Sequence, residues 1–356
     1  MYNHETYMQR CIQLAKLGTG NVAPNPMVGA VLVYENEIIG EGYHMQYGQA
    51  HAEVNCINSV PGKFKAQIAN ATLYVSLEPC AHFGKTPPCS NLIIQQQIKN
   101  VVIGCRDSFK QVNGKGIEQL KAAGVDVVVD VLKEECIELN QRFFTFHNSR
   151  RPYIILKFAQ TADGFIGKAT PNPSKGGELE RLLISNEFTN KLVHQWRTEE
   201  AAILVGTNTA LFDNPSLTNR LWTGKNPLRL VIDTQLKLPS TLQLFNQQEK
   251  TVVFNLLKNE INQQIEYVQL NTTDSVIQQI IQYCYSHNIQ SILVEGGTRL
   301  LQSFINENLW DEARIITNEQ LFVQVGIAAP KLSGSLQSST HIFDDRIDFY
   351  TNHLHD

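Results

Sequence analysis

The sequence predicts a chain of two α/β domains, and three observations carry that reading. At 356 residues the chain is longer than one average hydrophobic core supports, so it divides. Short apolar runs alternate with helical patterns along its length, the mark of strands covered by helices in a largely parallel sheet. The basic stretch "FHNSRRP", Phe146 to Pro152, breaks the alternation once, and a second strand–helix series begins behind it. The division is placed at 148/149, giving domains 1–148 and 149–356.

The elements follow in order. "MYNHETYMQRCIQLAKLG" reads as an amphipathic helix ended by Gly18, and it lacks the apolar region of a signal peptide. The loop "GNVAPNPMVG" leads into "AVLVYENEIIGEGYH", a β pattern that turns at Glu35 to Glu37. A helix over "AHAEVNCINSV", a buried strand "ATLYVSL", a helix "SNLIIQQQIKN", a strand "VVIGC", a helix "GIEQLKAAG" and a strand "VDVVV" complete the first half. The second half supplies the strands "YIILKFAQ", "AAILVG", "LRLVID", "TVVFN", "EYVQL" and "SILVEGG". Helices such as "NEFTNKLVHQWR" and "DSVIQQIIQYCYSHN" separate them. The two halves share no internal repeat.

Composition narrows the function. A net charge of −4 provides no basic field, so binding to bulk nucleic acid or an anionic membrane is not expected. No apolar run reaches the ~20 residues that span a bilayer. Seven cysteines, odd in number and scattered, do not form a secreted disulfide framework. A cytoplasmic enzyme acting on a small molecule fits these limits.

Two short motifs carry the chemistry. In "HAE", His51 and Glu53 stand at the start of a helix, and in "EPCAHFGKTPPC" Cys80 and Cys89 each follow a proline. A catalytic zinc takes three protein ligands and leaves a position for water. His51, Cys80 and Cys89 supply that set, so one zinc ion per chain is expected. Glu53 is the catalytic proton shuttle, because His-x-Glu followed by Pro-Cys is the signature of zinc deaminases, in which the glutamate is not a ligand. Pro79 is expected in the first turn of the next helix, whose N-terminus would favour the Cys80 thiolate. A structural zinc would want a fourth ligand and would have no use for Glu53. Eight residues separate the two cysteines, where the signature has two, and this insertion carries His82 and Lys85 to the rim of the site. Cys11, Cys56, Cys105, Cys136 and Cys284 are read as packing residues, and Glu78 as a supporting one.

At these residues the chain resembles the bifunctional deaminase–reductase family of riboflavin biosynthesis. The resemblance runs through "APNPMVGAVLV", "HAEV" and "SLEPCAHFGKTPPC" in the first half. It continues through "RPYIILKFAQTADGFIG", "ILVGTNTALFDNPSLTNR", "PLRLVID" and "VEGGTRLLQSFI" in the second. It implies a cytidine-deaminase-like three-layer α/β domain followed by a dihydrofolate-reductase-like α/β domain. It also implies two reactions. The first is hydrolytic deamination of 2,5-diamino-6-ribosylamino-4(3H)-pyrimidinone 5′-phosphate. The second is NADPH-dependent reduction of the ribosyl side chain, giving 5-amino-6-ribitylamino-uracil 5′-phosphate.

By the same resemblance, Asn25, His44, His82 and Lys85 line the deaminase pocket. Gln160, Leu183, Thr209, Asp213, Thr234, Gly296 and Gly297 face NADPH. Arg197, Leu217, Arg220 and Glu295 face the ribosyl phosphate, with Lys157 and Asp163 near the reacting sugar. No Gly-x-Gly-x-x-Gly fingerprint follows Arg150, so the cofactor half is not a Rossmann domain. The Gly296–Gly297 pair, between a strand and a helix N-terminus, can cradle a phosphate. Two departures stand out: "RDSFKQVNGKG" lacks the family's Pro-Asn-Pro after Asp107, and Leu183 replaces an aromatic residue. A homo-oligomer is expected. Two other readings stay open: a tRNA or nucleoside deaminase with an appended nucleotide-binding domain, and a fusion whose second half only binds nucleotide or assembles the oligomer.

Overall fold

Alternation along the first-half strands decides where the layers form. In the computed structural model, which describes residues 4–81, 87–107, 114–168 and 182–352, the chain divides into two units, Met1–Arg151 and Pro152–Asp356. The first unit runs α1 (His4–Lys16), β1 (Gly29–Tyr34), β2 (Glu37–Tyr43), α2 (Ala52–Ser59), β3 (Thr72–Leu77), α3 (Cys89–Gln95) and β4 (Asn100–Cys105). It ends with α4 (Lys115–Ala122), β5 (Asp126–Val128), α5 (Lys133–Leu139) and α6 (Gln141–Ser149). The sheet order is β2-β1-β3-β4-β5.

Successive strand residues point to opposite faces. Ala30, Leu32, Leu73, Val75, Val101 and Ile103 are buried with residues of α2, α3 and α4. Val31, Val33, Tyr74 and Val102 are buried with residues of α1, α5 and α6. The result is the three-layer α/β unit that the resemblance implied. The sheet is mixed, where the strand–helix alternation suggested a largely parallel one. The tight turn at Glu35 and Asn36, both at positive φ (48° and 66°), forces β1 and β2 to pair antiparallel. Only β3, β4 and β5 run parallel.

Pro79 opens no helix, contrary to the sequence expectation. Among the described residues the next helix is α3, which begins at Cys89 and is preceded by Pro88. The reason is where the Cys80 carbonyl bonds. It accepts the Ser90 N–H at 3.2 Å, so Cys80 is tied to the start of α3 and not to a helical turn of its own.

The second unit begins with β6 (Tyr153–Thr161), β7 (Phe165–Lys168), α7 (Glu187–Glu199), β8 (Ala202–Gly206), α8 (Thr207–Asp213) and β9 (Leu228–Ile232). It continues with β10 (Thr251–Asn255), β11 (Glu260–Asn262), β12 (Ile265–Gln269), α9 (Val276–Ser286), β13 (Ser291–Glu295) and α10 (Thr298–Asn306). It closes with β14 (Glu312–Asn318), β15 (Gly326–Ala328), β16 (Ser335–Ile342) and β17 (Asp345–Thr351). The main sheet has the order β11-β12-β10-β9-β8-β13-β6-β14-β17-β16. From β12 to β14 every neighbouring pair is parallel, while β11, β17 and β16 pair antiparallel at the edges. The parallel strands are covered on one face by α9 and α10 and on the other by α8, which explains their continuous apolar sequences.

The chain passes between units at Arg151–Pro152, slightly beyond the 148/149 division, which falls inside α6. Among the described residues, no helix is long and apolar enough to cross a membrane.

Candidate functional site

In the first unit, β3 and the N-terminal ends of α2 and α3 bring three ligand-type side chains together. His51 is the residue before α2, with extended backbone (φ −73°, ψ 168°). The helix sits close on β2 because Gly42 has no side chain: a Cβ there would lie 2.2 Å from Cys56 N. Cys80 follows β3, and Cys89 is the first residue of α3. His51 Nδ1 lies 3.6 Å from Cys80 Sγ and 3.4 Å from Cys89 Sγ. Among the described residues this trio is the one group of three or more His, Cys, Asp or Glu side chains suited to a metal.

The donor set fits zinc. Bond lengths of ~2.3 Å to sulfur and ~2.0 Å to nitrogen in a tetrahedral array place such atoms about 3.5–3.8 Å apart, close to the spacing found. Its charge fits too. The Cys89 thiol lowers the Cys80 pKa to about 4 against the cost of burial, with help from His51 and the Cys89 N–H. That N–H points at Cys80 Sγ from 3.3 Å. The bond to Cys80 and burial push Cys89 up in turn. Glu53, buried in the first turn of α2, has its carboxyl pKa raised by burial and by Cys80.

His44 and Asn25 stand beside this trio. The His44 ring lies 5.4 Å from that of His51, edge to face. Its Nδ1 lies 3.0 Å from the Ala50 carbonyl, which can only accept, so Nδ1 carries the proton. The Asn25 amide then donates to Nε2 at 3.2 Å. Burial lowers the His44 pKa, and His51 lowers it further, which favours this neutral form. The loop bearing Asn25 is held by Asn140, whose side chain exchanges two hydrogen bonds with the Met27 backbone. His82 and Lys85 lie outside the described residues, as do positions 108 to 110.

In the second unit, most of the expected residues gather at the carboxyl ends of the parallel strands, where open α/β sheets bind ligands. Glu295 closes β13 and pairs in register with Lys157 on β6. Arg197 on α7 grips Glu295 through two bonds, Nε–Oε1 at 2.9 Å and Nη2–Oε2 at 2.8 Å, and donates from Nη1 to the Thr218 carbonyl. Thr209 on α8 accepts the Gly297 N–H at 3.0 Å. Asp213 lies one turn further along the same helix.

Gly297 precedes α10, and a Cβ built on it would meet nothing closer than Thr209 Oγ1 at 3.7 Å. The space before this helix N-terminus is therefore open, as a cofactor phosphate requires. Thr234 follows β9, and its carbonyl accepts the Leu256 N–H. Gln160, farther along β6, donates to Thr317 Oγ1. Arg220 lines an open cavity of about 350 Å³ with Leu221, Trp222 and Thr223.

Comparison with known proteins decides the family. Residues 1–105 match the model of the cytidine and deoxycytidylate deaminase zinc-binding region. Residues 152–322 match that of the RibD C-terminal domain. The riboflavin biosynthesis protein RibD of Aquifex aeolicus is 39% identical over 335 residues, 93% of this chain and 88% of that one. This chain belongs to the RibD family. RibD of Actinobacillus pleuropneumoniae is likewise 39% identical, over 94% of this chain and 86% of the relative. A diaminohydroxyphosphoribosylaminopyrimidine deaminase/5-amino-6-(5-phosphoribosylamino)uracil reductase from Thermotoga maritima superposes with a TM-score of 0.85, at 34% identity and 98% coverage of both chains. As a RibD-family chain, the protein is a bifunctional deaminase and reductase of riboflavin biosynthesis, with a zinc-binding first domain and an NADPH-dependent second one.

Three RibD positions expected from the sequence have distinctive surroundings. Asp163 is engaged in a turn, where its carboxylate accepts from Thr161 Oγ1 and from the N–H groups of Val323 and Gln324. Leu217 is buried in left-handed conformation (φ 54°), where it turns the chain towards Arg220. Leu183 is 72% exposed.

One further residue, which the sequence did not single out, lies among these charges. His194, a turn before Arg197 on α7, accepts the Leu221 N–H at 3.4 Å. Burial lowers its pKa to about 4, assisted by Arg197, Arg220 and Lys157, so it is neutral at physiological pH. The His-x-x-Arg spacing, which puts both side chains on one helix face, was the available signal.

Proposed function

We propose that the first unit deaminates 2,5-diamino-6-ribosylamino-4(3H)-pyrimidinone 5′-phosphate. The second unit then reduces the ribosyl group of the product to ribityl. The observation that carries the first half is the triangle of His51, Cys80 and Cys89 with Glu53 buried beside it. The three side chains would hold zinc, which when bound supplies the acidity that makes water a nucleophile near neutral pH. Glu53 takes one proton from the attacking water and passes it to the ring nitrogen, then carries the remaining proton of the added hydroxyl to the amine, which leaves as ammonia as the ring carbonyl forms. Its raised pKa suits a group that both accepts and gives a proton. Asn25 and His44, fixed in one hydrogen-bonding state, would orient the pyrimidine, with His82 and Lys85 contributing from the insertion.

In the second unit NADPH supplies hydride. Gly296, Gly297, Thr209, Asp213, Thr234, Gln160 and Leu183 are proposed to hold it. Arg220 binds the substrate phosphate, while Arg197 and Leu217 shape that end of the site. Lys157 and Glu295, opposite each other on neighbouring strands, face the sugar, where Lys157 can give a proton to the developing hydroxyl. Asp163 would act from its turn, by placing the chain next to β6. We further assign the protein to the cytoplasm, as a homo-oligomer without a nucleic-acid partner, in keeping with its weak net charge.

The test is turnover of the diaminopyrimidine phosphate by the purified chain, with ammonia release, NADPH oxidation and zinc content followed together. Ammonia release without NADPH oxidation would leave the second unit a binding module. No turnover by a zinc-loaded chain would refute the substrate.

A further inference from the structure

The zinc-site reading gives no task to Glu78, a buried carboxylate of the first unit. Glu78, the residue before Pro79, is 3% exposed and accepts four backbone N–H groups. Oε1 receives those of Gly116 (3.0 Å) and Ile117 (3.3 Å), and Oε2 those of Gly114 (3.1 Å) and Asp107 (3.3 Å). Gly116 and Ile117 lie in the first turn of α4, where helical N–H groups have no partner within the helix. The residue before α4 is Gly114, which has no side-chain oxygen to cap them. Glu78 supplies the cap from a distant segment, with a negative charge at the helix end that favours it.

The same contact reaches the metal site. A Cβ on Gly116 would lie 2.0 Å from the Pro79 carbonyl oxygen and 3.2 Å from Glu78 Oε1, so the α4 backbone rests directly on the Pro79 turn. Beyond the proline, the Cys80 carbonyl accepts the Ser90 N–H at 3.2 Å, which leaves the Ser90 hydroxyl to donate its one proton to Gln119 Oε1 on α4 at 2.9 Å. Helix α4 therefore holds the turn on both sides of Cys80, through Glu78 before it and through Gln119 and Ser90 after it.

We propose that Glu78 is a positioning residue of the deaminase, which clamps the Pro79–Cys80 turn to the first turn of α4 and so sets Cys80 against His51 and Cys89. The proposal rests on the reading of those three residues as zinc ligands. A carboxylate offers acceptors at both oxygens. The isosteric amide of Glu78→Gln offers one, so it opposes two of the four N–H groups with its own donors. Gly116→Ala strikes the same contact with the carboxylate intact.

The experiment uses the full chain. It measures zinc affinity by competition with a chelator, the visible d–d spectrum of the cobalt-substituted protein, and reductase turnover as a check on folding. Both variants are expected to bind zinc about tenfold to a hundredfold more weakly. Both should show altered cobalt bands and a lower deaminase kcat, with reductase turnover retained. Glu78→Asp, which keeps two acceptor oxygens on a shorter arm, should recover part of the zinc affinity lost in Glu78→Gln. The proposal is overturned if a folded variant keeps wild-type zinc affinity and wild-type cobalt bands, even with a lowered Tm, since Glu78 would then serve stability alone. If Glu78→Gln does not fold, Gly116→Ala decides by the same criteria. A wild-type chain that holds no zinc overturns the ligand reading itself, an outcome visible before any variant is made.

Discussion

Arg197 and Glu295, 98 residues apart, form a two-bond ion pair with only 12% and 13% of their side chains exposed. Burial alone would raise the Glu295 pKa. The charges of Arg197 and Lys157 and the hydrogen bonds from Arg197 outweigh it and hold the carboxyl at about 2. Planar guanidinium matches planar carboxylate, and the pair fixes the end of β13, beside the residues proposed to hold substrate and cofactor.

That depressed value gives a pH dependence. The unfolded carboxyl titrates near ~4.3, so the stabilisation from its ionised form is complete above that pH and is lost as pH falls towards 2. Glu295→Gln should cost about 3 kcal/mol at pH 7, because it leaves a buried guanidinium without its counter-charge. The gap from wild type should narrow between about pH 4.5 and pH 2. All three tryptophans, Trp196, Trp222 and Trp310, lie in the second unit, so urea unfolding followed by their fluorescence reads this unit alone. A gap that does not change with pH would contradict the assignment.

In the deaminase, Glu53→Gln should keep zinc and lower kcat by about 10² to 10⁴, the worth of a positioned acid–base group. Cys89→Ser should lower zinc occupancy instead. Metal analysis after dialysis against a chelator separates the two. Parallel loss of zinc and activity in Glu53→Gln would make that residue a structural one.

Arg220→Ala should weaken binding of the phosphorylated reductase substrate by about 10- to 100-fold, in line with the loss of charged hydrogen bonds. NADPH affinity should change little. Titration of each ligand measures both effects, and a loss confined to NADPH would move Arg220 to the cofactor site.

Each unit has its own buried clusters and its own site residues. A chain ending at Arg151 should fold, bind zinc and deaminate, and one starting at Pro152 should reduce the deaminated product without zinc. Cooperatively unfolding halves that are inactive apart and active when mixed would show that the sites need each other's unit.

Features formed by residues close along the chain were legible in the sequence. His51 and Glu53 at one helix start, the two Pro-Cys steps and the apolar runs of β3, β4, β8 and β13 are local patterns, and local geometry acts on them directly. Their family resemblance named both reactions. The tertiary structure decided what depends on groups far apart in the chain. Pro79 looked like a helix start, yet the Cys80 carbonyl found Ser90, ten residues on. Glu78 carried no signal of its own because its partners Gly116 and Ile117 lie 38 and 39 residues away. The neutral state of His194 is set by burial and by cations from β6, α7 and the loop at Arg220. The edge strand β16, "SLQSSTHI", is exposed at six central positions, so it shows no apolar alternation and exists only through pairing with β17. A hydrogen bond or charge that acts across the fold leaves no periodicity in the sequence, because its geometry appears only once the layers have packed.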